Sequence, residues 1–179
     1  MRARSDNAFD QLKEEDHMAT ADKVGVTTLT TPSDREVVIT RVVDAPRKRV
    51  WDAWTKPKHV QNWLTGFEGW TLPVCEIDLR PGGQWHFVWR KSDGAEMGMT
   101  GVYKEVVPPE RLVNTERWGP EWPETVNTLL FSEKGGKTTI TLTILYPSKE
   151  ARDAALKTGM KEGMDVSYER LDEYLRTMA

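Results

Sequence analysis

The sequence has little cysteine, no long apolar run and no excess of basic charge. Cys75 is the single cysteine among 179 residues, so no internal disulfide can form, which suits a reducing compartment. No apolar segment approaches the roughly 20 residues of a transmembrane helix. The polar N-terminus also lacks the apolar core of a secretory signal. We therefore expect a cytoplasmic protein with no membrane span.

The charges, the histidines and the absence of known motifs argue against nucleic-acid binding and against metal or cofactor sites. The net charge is -3, with 25 basic and 28 acidic residues, so no basic field is available for a nucleic-acid backbone. The three histidines, His17, His59 and His86, have no metal-ligand spacing, and neither CxxC nor HExxH occurs. GxGxxG, the P-loop and GxSxG are absent too. We predict no metal site and no cofactor.

The chain does contain eight tryptophans and a polar N-terminal stretch. Residues 1–34 have few periodic apolar positions and are predicted to form a flexible tail. The pair His17-Met18 resembles a cloning-site junction, which predicts that part of this tail is vector-encoded. Residues 35–176 are predicted to form one domain, since no second core or internal repeat is visible.

Periodicity and turn residues predict an α+β protein. A strand is followed by two short helices, six further strands and one long C-terminal helix. Prolines, glycines and Ser-Asp-Gly separate these elements, and consecutive strands joined by short turns predict an antiparallel meander. The strands are predicted at 35–43, 71–79, 84–91, 95–107, 111–118, 124–133 and 137–147, with helices across 44–64 and 148–176.

Five stretches of the chain carry a resemblance to a known family. They are TRVVDAPRKRVWDAWTKPKHVQNW, DLRPGGQWHF, SDG, TGVYKEVVPPERLV and GMKEGMDVSYERLDEYL. With these stretches the chain resembles the START-like superfamily, also called the SRPBCC or Bet v 1-like helix-grip fold. Within it, the chain is most similar to the activator of heat-shock-protein-90 ATPase homologue family in its bacterial single-domain form.

The resemblance implies a curved antiparallel sheet wrapped around the long C-terminal helix, with an internal cavity between them. Residues 35–176 would form this START-like domain. The chain departs from the family at two places that face this region. It has Trp63-Leu64 where members often carry two aromatic residues, and Met164 where they often carry a tryptophan.

Strict alternation on the strand 84–91 puts Trp85, Phe87 and Trp89 on one face. This row is either a packed core or the wall of a ligand cavity, and both interpretations stay open at this point. Flexible methionines suit an adaptable lining. If the cavity exists, its predicted lining is Trp63, Trp85, Phe87, Trp89, Met97, Met99, Tyr103, Asn114, Glu116, Trp118, Met160 and Met164.

The strand 111–118 decides the chemistry of such a cavity. Either Asn114 and Glu116 face the helix, or Val113 and Thr115 do. A buried glutamate would have a raised pKa and could act as a general acid or base. His86 has the parity opposite to the tryptophans and is predicted on the outer face.

Three functions compete on this evidence. The leading hypothesis is a module that binds a hydrophobic small molecule, either apolar or aromatic or lipid-like. The first alternative is a regulator that partners a chaperone in a stress response, as the family resemblance suggests. The second is a cyclase- or aromatase-like enzyme that acts on a bound polyketide-type substrate.

Overall fold

The computed structural model describes residues 23–178, which form one eight-stranded antiparallel sheet and four helices. The predicted tail segment 1–22 and the His17-Met18 junction lie outside the described residues. The strands are β1 (Thr27–Thr30), β2 (Glu36–Val43), β3 (Trp70–Ile77), β4 (Gln84–Lys91), β5 (Glu96–Val107), β6 (Arg111–Trp118), β7 (Thr125–Lys134) and β8 (Lys137–Leu145). The helices are α1 (Arg47–Thr55), α2 (Pro57–Trp63), α3 (Lys149–Leu156) and α4 (Met160–Thr177).

The strand order in the sheet is β1-β2-β8-β7-β6-β5-β4-β3. Strands β3 to β8 form the predicted meander, and the final strand β8 returns beside β2. The β7–β8 turn is Gly135-Gly136, and both residues have positive φ (59° and 74°), as a tight hairpin turn requires. The predicted α+β helix-grip architecture is therefore confirmed.

The corner between β5 and β6 lies at Pro108-Pro109, where the peptide bond is cis. Strand β5 ends at Val107 and β6 begins at Arg111, so the prolines mark the predicted end of a strand. Neither proline has an N–H for a ladder hydrogen bond, which is why pairing stops there.

Two boundaries differ from the prediction. Strand β1 lies inside the segment 1–34 that we assigned to the tail, and it pairs with β2 from Thr27 to Thr30. The single C-terminal helix is wrong: the segment 148–176 holds two helices, α3 and α4. Gly159 separates them with a left-handed φ of 78°, a conformation that glycine adopts without strain.

Helix α4 lies against the inner face of the sheet, which we define as the face that carries Ile39, Trp85 and Phe131. Its buried residues are Ser167, Tyr168, Leu171 and Leu175. Residues 160–166 at the start of the helix are half-buried or exposed. In the described residues no helix is both long and apolar enough to cross a membrane.

Candidate functional site at the start of helix α4

Strand β4 builds an aromatic wall on the inner face. Trp85, Phe87 and Trp89 are all buried, with neighbouring ring centroids 5.1 and 6.0 Å apart. Trp85 lies across Gly101 of β5. A Cβ atom on Gly101 would be 2.5 Å from Trp85 Nε1 and 1.9 Å from the Thr115 carbonyl oxygen, so only glycine fits there.

The structure resolves which residues of β6 face the helix. Glu116 is paired with Thr125 of β7, and its Oε2 accepts a hydrogen bond of 2.7 Å from Nδ2 of buried Asn127. Glu116 therefore lies on the inner face. Thr115 is buried as well, and its hydroxyl accepts a hydrogen bond from the Val102 backbone N–H.

Glu116 is held by donors rather than by a cation. Its Oε1 accepts a 2.7 Å hydrogen bond from Trp118 Nε1, while Asn127 binds Oε2. Thr125 donates to the Asn127 side-chain oxygen at 2.9 Å and so fixes that amide. Burial raises the pKa of Glu116 to about 7, and the two hydrogen bonds offset part of that rise. Near neutral pH the carboxyl group is therefore partly protonated.

Aromatic contacts connect this glutamate to the start of α4 along one side. Trp118 stacks on Trp89 with centroids 5.3 Å apart and an interplanar angle of 15°. Trp89 Nε1 donates to the Leu64 carbonyl oxygen at 2.8 Å, which ties the strand to the loop after α2. In that loop, the Phe67 ring is 3.7 Å from where a Cβ of Gly163 would be.

Tyr146 makes the connection on the other side. Its hydroxyl is 4.0 Å from the sulfur of Met160, the first residue of α4. Burial, and then the negative charge of Glu116, raise the pKa of Tyr146 to about 12. These contacts complete a ring of residues between sheet and helix, which we call the rim: Phe67, Glu116, Trp118, Tyr146, Met160 and Gly163.

The twelve predicted lining residues fall into three groups by exposure. The fully buried ones are Trp63, Trp85, Phe87, Trp89, Met99 and Tyr103. The half-buried ones are Asn114, Glu116, Met160 and Met164. The exposed ones are Met97 and Trp118, at 42% and 36%. The solvent exposure of these side chains thus increases from the packed wall to the rim. That a cavity lies between wall and rim stays a prediction.

Trp85 and Tyr168 carry buried polar atoms without a hydrogen-bond partner in the described part of the chain. The Nε1 of Trp85 and the hydroxyl of Tyr168 find no hydrogen-bond partner among residues 23–178. Buried donors are normally satisfied. The indole N–H of Trp85 belongs to the aromatic wall, whereas the hydroxyl of Tyr168 belongs to the packed end of α4, where Tyr168 has no exposed surface.

A second polar group lies at the other end of α4, and sequence reasoning missed it. Arg41 of β2 forms an ion pair with Asp172 of α4, donates to Thr27 of β1 at 2.7 Å, and has its guanidinium carbon 5.8 Å from the Tyr168 ring centroid. Arg41 is only 3% exposed. This pair joins the helix to the sheet edge.

The outer face carries two open depressions, of about 530 and 500 Å³, along β3, β4 and β5. His86 lines one of them and lies 3.5 Å from Glu76, so its predicted outward orientation is confirmed. Burial raises the pKa of Cys75 to about 12, which makes it a poor nucleophile. Within residues 23–178 no cluster of three metal-ligating side chains occurs.

Comparisons with known proteins agree with this fold. The family described as "Activator of Hsp90 ATPase homolog 1-like protein" matches residues 44–176. A solved Rhodobacter sphaeroides protein is similar with a TM-score of 0.81 and 28% identity, over 85% of this chain and 99% of its own.

Two further solved structures share the fold. A Mycobacterium smegmatis protein has a TM-score of 0.74 and 24% identity, over 83% of this chain and 96% of its own. A protein described as AHSA1-like, from Aeromonas hydrophila, has a TM-score of 0.62 and 20% identity, over 76% and 92%. No curated protein matches the chain.

Proposed function

The chain belongs to the activator of Hsp90 ATPase homolog 1-like family, and from this premise we propose that it binds a small, largely apolar molecule between the sheet and the start of helix α4. One observation carries the proposal. Helix α4 buries four residues from Ser167 onward and none from 160 to 166, although the facing wall is made of large aromatic side chains. A ligand would cover the apolar surface that stays exposed beside the wall, on Phe67, Met97 and Trp118.

The lining favours a flat aromatic or lipid-like ligand. Trp85, Phe87 and Trp89 offer rigid ring faces and edges, while Met160 and Met164 adapt to irregular shapes. Each buried CH₂ group of a ligand contributes about 0.8 kcal/mol. The indole N–H of Trp85 can orient one acceptor atom of the ligand.

The test is a thermal-shift screen against aromatic, polyketide-like and lipid compounds. A ligand at 100 times its Kd stabilises the native state by about 2.7 kcal/mol, which corresponds to a Tm rise of roughly 5–10 °C for a domain of this size. Met160→Arg places a charge at the rim and should abolish the shift. Leu130→Arg, on an apolar residue that is 42% exposed on β7, is the matched control and should keep it.

Two outcomes would contradict the proposal. One is the absence of a shift with every compound class, which favours a filled core. The other is an equal shift in wild type and Met160→Arg, which places the bound compound elsewhere. Titration calorimetry on the compound with the largest shift distinguishes specific binding from general stabilisation.

Proton transfer on a bound molecule is a second candidate, favoured by the raised pKa of Glu116 at the rim. A carboxyl group that is half-ionised near pH 7 is well placed to act as a general acid or base. If this is the function, Glu116→Gln should reduce turnover of a cyclisation substrate at least 100-fold, while the substrate still binds. Turnover within twofold of wild type would rule out that role.

The chaperone alternative rests on the family description and stays a prediction. It requires a docking surface on the described domain for a heat-shock-protein-90 chaperone. A pull-down with that chaperone, together with an ATPase assay with and without this protein, tests it. Neither association nor stimulation at micromolar concentration would remove the alternative.

A further inference from the structure

We propose that the ligand carries a cationic amine, which pairs with Glu116 at the rim while its apolar body lies against Trp118 and the aromatic wall. This inference rests on the proposed binding function and names the chemical class of its ligand.

The first argument is the absence of a cation beside this carboxylate. Within residues 23–178 no lysine, arginine or histidine nitrogen lies within 4 Å of Glu116, which is absent from every ion pair found there. The basic residues that directly follow Glu116 and Met160 in the sequence are engaged or directed elsewhere. Lys161 binds Asp165 at 2.7 Å, and Arg117 is exposed at the depression on the outer face.

The second argument is that the carboxylate is already oriented. Trp118 and Asn127 each bind one of its oxygens at 2.7 Å, and Thr125 holds Asn127 in turn. A carboxylate oxygen can accept more than one hydrogen bond, so both oxygens of Glu116 keep capacity for a donor from a ligand. An amine would therefore meet a fixed acceptor and lose little affinity to side-chain ordering.

The third argument is the indole beside the carboxylate. Trp118 is 36% exposed and stacked on Trp89, so one indole ring presents a free surface next to Glu116. Ring faces of tryptophan attract ammonium groups. Carboxylate and indole together select a cation, and the same carboxylate repels an anionic ligand.

The groups packed around Glu116 set the expected pH dependence. Strand β7 contributes Thr125 and Asn127, and β6 itself contributes Trp118; none of these side chains titrates. Tyr146, directly after β8, stays neutral up to strongly alkaline pH because its pKa is raised to about 12. Amine binding should therefore follow ionisation of Glu116 alone and strengthen as the pH rises from 6 to 8.

The experiment compares three ligands of one shape: 1-naphthylmethylamine, 1-naphthalenemethanol and 1-naphthoic acid. Their Kd values are measured by titration calorimetry at pH 6 and pH 8 with the full chain. We expect the amine to bind at least tenfold more tightly than the alcohol at pH 8, with the acid weakest. The affinity for the amine should rise severalfold between pH 6 and pH 8, and that for the alcohol should stay constant.

Glu116→Gln keeps the shape of the side chain and removes its charge. In this variant the amine should lose its advantage over the alcohol and its pH dependence. The matched control is Glu124→Gln, an exposed glutamate at the outer depression, which should bind all three probes as wild type does. If Glu116→Gln does not fold, the pH dependence in the wild type still decides the question.

The outcomes separate this inference from the proposed function. Equal affinity for the amine and the alcohol, or tightest binding of the acid, would overturn the amine inference and leave the apolar site standing. An amine preference that persists in Glu116→Gln would also overturn it. No binding of any probe, together with no hit in the broader screen, would overturn both.

Discussion

The two ends of helix α4 differ in how they meet the sheet. Its second half buries Tyr168 and Leu171 completely and Leu175 almost so, and is packed like the interior of a stable domain. Its first half, 160–166, contributes Met160 and Gly163 to the rim, where they lie next to Tyr146 and Phe67. One element thus provides stability at one end and an accessible surface at the other, which is what a binding site within a small fold requires.

The charged groups at the two ends of α4 also differ, in whether a partner of opposite charge is present. At the packed end, Asp172 is paired with Arg41, so each charge is compensated inside the protein. At the rim, Glu116 has hydrogen-bond donors but no cation within 4 Å among residues 23–178. The charges at the packed end are thus compensated within the described part of the protein, while the carboxylate at the rim is the group that the proposed ligand would meet.

The largest expected effect comes from breaking the pair at the packed end. Asp172→Leu leaves the charge of Arg41 buried without a partner, and we expect a loss of about 3–5 kcal/mol in the free energy of unfolding. The matched control is Asp165→Leu on the same helix, which breaks the exposed pair with Lys161. That change should cost less than about 1 kcal/mol. Urea denaturation of both variants gives the two numbers.

The double variant Arg41→Met with Asp172→Leu sharpens the result. Because it removes both charges, it should recover most of the lost stability. Similar losses for Asp172→Leu and Asp165→Leu would mean that the packed end has no special role, and the difference between the two ends would not hold.

The next largest effect is expected when an apolar residue is truncated at each end of α4. Leu171→Ala removes a side chain with no exposed surface and should cost about 2–5 kcal/mol. Met164→Ala should cost clearly less, about 1 kcal/mol or below, because Met164 is only half-buried. Urea denaturation again measures both. Equal losses would show that the start of α4 is packed as tightly as its end.

The sequence predicted most of the fold because the signals were local. Alternation in QWHFVWRK put the tryptophans on one face, and the glycines and prolines marked the turns at Gly135 and Pro108. Ser148 caps α3, because its hydroxyl accepts a hydrogen bond from the Ala151 N–H. Each of these features depends on a few neighbouring residues.

What the sequence could not predict depends on distant parts of the chain. Thr27–Thr30 is too short and polar to stand out as a strand, and it becomes one only by pairing with β2. Arg41 and Asp172 are 131 residues apart, so nothing local joins them. The position of Asn127 was within reach, however, because it alternates with Leu129 and Phe131 on the inner face.

The pH dependence of stability tests the rim itself. Burial raises the pKa of Glu116 in the folded protein to about 7, above its ordinary value of 4.5. The contribution of Glu116 to the free energy of unfolding is therefore fully present below pH 4.5 and is lost as the pH rises through 7. We expect wild type to lose about 3 kcal/mol relative to Glu116→Gln between pH 4.5 and pH 8. The free energy of unfolding of both proteins across this range gives the difference, in which all other titrating groups cancel.

A constant difference between wild type and Glu116→Gln would contradict the burial of this carboxyl group at the rim. A decrease that ends below pH 5 would do so as well, since it would mean that folding raises the pKa of Glu116 only slightly. Addition of 1-naphthylmethylamine should reduce the loss above pH 7, because the amine stabilises the ionised form.

The smallest effects are expected from replacing the two glycines near the start of α4 by alanine. A Cβ atom on Gly163 would meet only the Phe67 ring, at the ordinary contact distance of 3.7 Å, so Gly163→Ala should stabilise the protein by about 0.5–1 kcal/mol through its helix propensity. Gly159→Ala should instead destabilise it by about 1 kcal/mol, because Gly159 has a φ of 78°. Thermal denaturation should therefore shift Tm in opposite directions. If Gly163→Ala lowers Tm, the added methyl group finds no room, and the start of α4 is already packed against the rim.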